Sequence, residues 1–78
     1  MSDDSNKKVI GYRQSIAYIN EKKVKRAILA EDVDEKMKNE LVVLLTGNGI
    51  EFEFVSSKKE LGKIYGIKVG ASIVCLLD

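Results

Sequence analysis

The chain has 78 residues and a net charge of +1, with 45% hydrophobic and 32% charged residues and no histidine. A chain this short forms one domain with a core of marginal size, and its hydrophobic share fills that core without disulfides or metal. The missing histidine removes the commonest general base and the commonest zinc ligand, and no hydrophobic run reaches the length of a membrane span or reads as a signal peptide.

Residues 1–8, Met-Ser-Asp-Asp-Ser-Asn-Lys-Lys, are polar and read as a flexible tail, which leaves residues 9–78 as the domain. Val9 and Ile10 allow a short edge strand. Gly11 then opens a helix over residues 12–20, with Tyr12, Ile16 and Ile19 as its buried stripe and Arg13, Gln14 and Ala17 on another side. At its first turn N–H groups point outward and the dipole is positive, and glycine lets a partner approach closely. Ala27-Ile28-Leu29-Ala30 predicts a strand buried on both faces. Asp34 is placed to cap the next helix, where Met37, Leu41, Leu44 and Leu45 recur at helical spacing until Gly47-Asn48-Gly49 stops it. The acidic pairs of this region have no further ligand at useful spacing, so capping is preferred to metal binding or acid–base work.

Residues 50–55, Ile-Glu-Phe-Glu-Phe-Val, alternate as a strand with one wet face does, which places it nearer a sheet edge. Ser57 and Glu60 form a capping box for a short helix over 58–65, whose stripe is Leu61, Ile64 and Tyr65 and whose stop is Gly66. Ile67-Lys68-Val69-Gly70-Ala71 is then an apolar loop. Ile67 and Val69 either start the last strand or carry a flat partner, and Lys58, Lys59, Lys63 and Lys68 nearby make that partner anionic. Ser72–Leu77 is a continuous apolar strand containing Cys75, a lone cysteine that fits a buried, inert thiol in a reducing cytoplasm. The order predicts an α/β fold, a largely parallel sheet with helices on both faces and ligand-facing turns beyond one end of the strands. Residues 5–30 carry a net +6 and residues 54–77 a net +3, against −5 over 31–53. Brought to one end, the two positive stretches would make a basic face beside an acidic back.

Three segments match a known pattern in register, across residues 9–77. Gly11-Tyr12-Arg13-Gln14 is similar to a Gly-Thr-Asn/Lys-Glu/Gln helix opening. Residues 26–34 are similar to a first buried strand with its acidic turn, and residues 55–62 and 66–71 to a capped helix with an apolar loop beyond it. Together they resemble the kink-turn RNA-binding ribosomal proteins, the L-seven-Ae family, and most of all its short bacterial members of the YbxF type. The resemblance implies a three-layer α/β/α sandwich around a small, mostly parallel (mixed) sheet. It also implies a monomer that binds structured RNA, the kink-turn of a ribosomal RNA or a riboswitch, within a cytoplasmic ribonucleoprotein. Carried over by position, Gly11, Arg13 and Gln14 would meet the tandem sheared G·A pairs, and Lys58 the phosphate backbone. Ile67, Lys68 and Val69 would cover a flipped-out nucleotide, and Ala17 and Gly70 are counted with the RNA-binding positions. Ala17 departs from the lysine common in the family, and Arg13 and Gln14 from the asparagine and glutamate of archaeal members. Arginine still donates to guanine O6 and N7, while the missing lysine should weaken affinity or change which kink-turns are accepted.

A protein-interaction adaptor on the same fold is the competing reading. An enzyme is disfavoured, because no histidine, reactive cysteine or glycine-rich phosphate loop organises the serines and carboxylates. No catalytic residue, metal or cofactor is assigned.

Overall fold

The computed structural model describes residues 7–68 and 70–77. The elements run β1 (Lys8–Ile10), α1 (Tyr12–Asn20), β2 (Val24–Ala30), α2 (Glu35–Gly47), β3 (Glu51–Val55), α3 (Lys58–Ile64) and β4 (Ile73–Leu77). Lys8 therefore begins a strand, inside the stretch read as a tail. The four strands form one sheet in the order β1-β4-β2-β3. β2 and β3, joined through α2, pair in parallel, while β4 runs antiparallel to both β1 and β2. The sheet is thus mixed, but its parallel pairing is the minority and not the expected majority. The physical reason lies after α3. Beyond it the chain is back at the start of that helix by Ala71, whose N–H donates to the Lys58 carbonyl at 3.1 Å, so the last strand enters from the opposite end.

Alternation along the strands sends side chains to two faces. Ala27, Leu29, Ile73 and Cys75 pack under α1 and α2 against Ile19, Leu41 and Leu45. Ile28, Ala30 and Val74 face α3 and meet Leu61. This is a three-layer α/β/α arrangement, and β2 is buried on both faces over Ala27–Ala30 because helices cover it from each side. β3 is an edge strand, with Glu51 and Glu53 exposed. Arg26 on β2 reaches them at 3.8 and 3.3 Å.

Three local expectations need correction. Asp34 stands at the N-cap of α2, but its side chain makes no capping hydrogen bond; only its backbone carbonyl accepts, from the Lys38 N–H at 2.9 Å. Ile64 has the helical spacing of a buried residue yet is 54% exposed, because Leu61 and Tyr65, four residues apart, face the cluster and Ile64 lies to one side of that line. Leu44 is only partly buried, at the margin of the α2 stripe whose centre is Leu41 and Leu45. Among the described residues no helix is long and apolar enough to cross a membrane.

Candidate nucleic-acid interface

The ends of several elements meet at one edge of the molecule, and backbone hydrogen bonds hold them there. β1, β2 and β3 finish at this edge, α1 and α3 start from it, and β4 enters from it. The Gly11 N–H donates to the Ile73 carbonyl at 3.0 Å, which ties the start of α1 to the start of β4. The Ala30 N–H donates to the Ser72 carbonyl at 3.0 Å, and Ala71 is joined to Lys58 as described above. Gly11, the N-cap of α1, has φ 106 and ψ 158, a region essentially reserved for glycine. Alanine built there would meet nothing within 4 Å, so the backbone turn, not crowding, requires the glycine.

That turn sets Arg13 and Gln14 in the exposed first turn of α1, with Ala17 exposed one turn further along, four residues from Arg13. Across the edge, Ser57 caps α3 by accepting from the Glu60 N–H at 3.0 Å, the serine half of the predicted box. Lys58 is the first residue of α3 and exposed, and its N–H donates to Asp32 Oδ1 at 2.8 Å. Asp32 therefore satisfies one of the unpaired N–H groups of the helix start from 26 residues away in sequence. The sequence reading missed this role. The acidic turn was visible, but nothing local distinguishes Asp32 from Asp34.

The loop beyond α3 is pinned against the same helix. A Cβ on Gly70 would lie 3.0 Å from both the carbonyl carbon and the Cβ of Lys58, tighter than ordinary packing allows. Gly70 is the residue that lets loop and helix start touch. Lys68 and Gly70 are exposed. Ile67 is half-buried in the cluster around Leu61, so the loop offers less free apolar surface at this residue than its composition implied. Val69 lies outside the described residues. The edge thus gathers Gly11, Arg13, Gln14, Lys58, Lys68 and Gly70.

Charge is not arranged as expected. Lys58, Lys59 and Lys68 stand at or near this edge, but Lys22, Lys23 and Lys25 follow α1 to the opposite end of the sheet. The acidic turn Glu31–Asp34 also lies at the candidate edge. Its charges are partly engaged, Asp32 by α3 and Glu31 by Lys38 at 3.6 Å. Beside Arg13, the Tyr12 hydroxyl donates to the Glu40 carboxylate, joining α1 to α2. That bond to a carboxylate pushes the Tyr12 phenol above its usual value; desolvation adds to the rise and Arg13 opposes it. Tyr12, Ile16, Val43 and Leu44 line an open apolar groove of about 520 Å³ between the two helices, where Val43 is 71% exposed. Among the described residues no three His, Cys, Asp or Glu side chains gather to hold a metal ion.

Fold and edge together define a small α/β/α domain that presents a glycine-turned helix start, a lysine-led helix start and a pinned loop on one surface. The chain belongs to the Ribosomal protein L7Ae/L30e/S12e/Gadd45 family, whose sequence model matches residues 1–78. An RNA-binding protein of Bacillus pumilus is 32% identical to it over 69 residues, which cover 88% of this chain and 84% of that protein. An RNA-binding protein of Caldanaerobacter subterraneus is 30% identical over 66 residues, covering 85% of this chain and 80% of the relative. Among solved structures, a Giardia lamblia 15.5kD RNA binding protein superposes with a TM-score of 0.84 over 94% of this chain and 62% of its own, at 20% identity. A Bacillus halodurans protein of unknown function gives 0.85 over 94% of this chain and 73% of its own, at 19% identity. At those identities the superpositions speak for the fold alone.

Proposed function

We propose that this protein binds RNA in the cytoplasm, as a monomer, by recognising a kink-turn in a ribosomal RNA, a riboswitch or another structured RNA. Arg13 and Gln14 read the sheared G·A pairs from the first turn of α1, and Gly11 lets the RNA approach that turn. Lys58 and Lys68 hold phosphate, while Ile67, Val69 and Gly70 lie against the flipped-out nucleotide. The observation that carries this reading is the single edge at which α1, α3 and the loop beyond α3 are fastened by backbone hydrogen bonds. A helix start with free N–H groups and exposed cations suits phosphate and guanine, and a small apolar loop suits an unstacked base. The family and the RNA-binding relatives support the partner class.

The test is a set of titrations against a kink-turn and its G·A-disrupted control at several salt concentrations. Arg13→Ala weakens kink-turn binding by about 1–3 kcal/mol and loses discrimination between the two RNAs. Lys58→Ala weakens both alike and shallows the salt slope by about one unit. Ala17→Lys adds a cation on the face of Arg13 and tightens kink-turn binding. Undiminished discrimination in Arg13→Ala refutes the base-reading role.

The apolar groove between α1 and α2 favours one second reading, a protein-contact module. Binding through that groove would respond weakly to salt and strongly to Val43→Asp.

A further inference from the structure

All three helices end in the same hydrogen-bonded turn, a Schellman motif, in which the residue after the C-cap takes a left-handed conformation. At the ends of α2 and α3 that residue is glycine, Gly49 at φ 69 and Gly66 at φ 71. The following N–H groups, of Ile50 and Ile67, reach back to the carbonyls of Leu45 and Gly62 at 3.0 and 2.7 Å. α1 ends in the same way, with the Lys22 N–H donating to Ile19 at 3.0 Å and the Lys23 N–H to Tyr18 at 3.1 Å. Here, however, the left-handed residue is Lys22, at φ 60. A Cβ disfavours that conformation, so a lysine stands where glycine would be the more stable choice.

Lys22 lies at the end of the sheet opposite the candidate RNA edge, and other cations gather with it. Lys8 starts β1, and Arg26 on β2 pairs with the same β4 residue, Leu76. Lys25 is the extra residue of a bulge, since Val24 pairs with Leu77 and Arg26 with Leu76; bulges re-aim side chains. Arg26 is taken up by Glu51 and Glu53, and Lys23 by Glu21 at 3.2 Å. Lys8, Lys22 and Lys25 are exposed and make no ion pair among the described residues. The helix dipole accounts for a cation at the end of α1, but not for Lys8 and Lys25 on the strands.

Resting on the RNA-binding reading above, we infer that this pole is a second RNA contact, which grips the phosphate backbone of another RNA segment without regard to sequence. One molecule thereby holds RNA at both ends of its sheet. Among the described residues the large exposed apolar side chains are Val43, Phe54 and Ile64, and none belongs to these segments, so the described part of the pole offers none of the apolar groups with which a basic patch enters a bilayer.

The experiment is an anisotropy titration of a plain RNA duplex, with no internal loop, at several salt concentrations. It compares the wild type, the triple variant Lys8→Gln/Lys22→Gln/Lys25→Gln and the single variant Lys22→Gly. The triple variant should weaken duplex binding by about tenfold or more at low salt and shallow the salt slope by about two to three units. Its preference for a kink-turn over the disrupted control should stay unchanged. Lys22→Gly should raise the melting temperature and still weaken duplex binding, opposite changes that a structural role for Lys22 would not produce. Duplex binding that survives in the triple variant overturns the inference, and so does wild-type binding to phosphatidylglycerol vesicles with none to the duplex. Failure of the kink-turn reading looks different: the wild type then shows no preference for the kink-turn, while duplex binding still falls in the triple variant.

Discussion

Replacing Gly11 with alanine puts the organisation of the candidate edge under direct strain. At φ 106 and ψ 158 a residue with a Cβ is held in a region that costs about 1–3 kcal/mol. Nothing lies within 4 Å of the added carbon, so crowding contributes nothing and the whole cost is conformational. For a domain of this size each kcal/mol moves the thermal midpoint by about 4–8 °C, which predicts a fall of about 5–20 °C. The chain can relieve the strain only by rotating Gly11, and that rotation turns its N–H away from the Ile73 carbonyl, 3.0 Å distant in the native turn. Arg13 and Gln14 would then be re-aimed. Kink-turn affinity, measured far below the midpoint where the variant is folded, should therefore drop as well. Thermal unfolding by circular dichroism reads the first effect and an RNA titration the second. An unchanged midpoint would refute the assignment of Gly11 as a conformationally required residue.

Gly70→Ala forces the loop off the start of α3, because the new Cβ would sit 3.0 Å from Lys58; overpacking of this kind costs about 1–3 kcal/mol, read from the urea midpoint, and RNA affinity should fall with it. Leu45→Ala empties a fully buried site under α2 and should cost about 2–5 kcal/mol, whereas Leu44→Ala, at the margin of the stripe, should cost less in the same denaturation series. Burial pushes the Cys75 thiol up, with the neighbouring Ser15 hydroxyl opposing, so at alkaline pH the unfolded chain gives up this proton first. Stability should be fully retained below the ordinary thiol range and fall as the pH rises through the folded value; Cys75→Ala should flatten that limb in denaturation curves taken across pH.

Much of the architecture is legible because its signals are local. The Ser57 cap, the glycine stops at Gly49 and Gly66 and the fully buried run Ala27–Ala30 each depend on residues within a few positions of one another. The direction of β4 is not local. It is decided by the docking of Ala71 on the Lys58 carbonyl at the start of α3, and an apolar loop has the composition of a strand entrance. The two acidic residues near α2 show the same limit: Asp34 has the sequence position of a cap, yet the carboxylate that engages a helix start is Asp32, on α3. The basic stretches were expected together and are divided, because α1 spans the height of the sheet. Its nine residues cover about 13 Å at the usual rise, which carries Lys22 and Lys25 away from Arg13. Of the candidate residues, Gly11, Arg13, Gln14, Lys58, Lys68 and Gly70 share one edge, and no single spacing in the sequence connects them. Ser15, buried beneath α1 beside Cys75, carried no sequence signal, since serine on a helix ordinarily faces water.

A protein that holds RNA in a kinked form brings the two helical arms together, and energy transfer reads that approach. A kink-turn RNA labelled on its two helical arms is titrated with the wild-type protein in low salt with magnesium, beside the same RNA with its G·A pairs disrupted. Transfer should rise to saturation at one protein per kink-turn and stay flat for the disrupted RNA. Transfer that does not change for the kink-turn, or that changes equally for both RNAs, contradicts recognition of the kink.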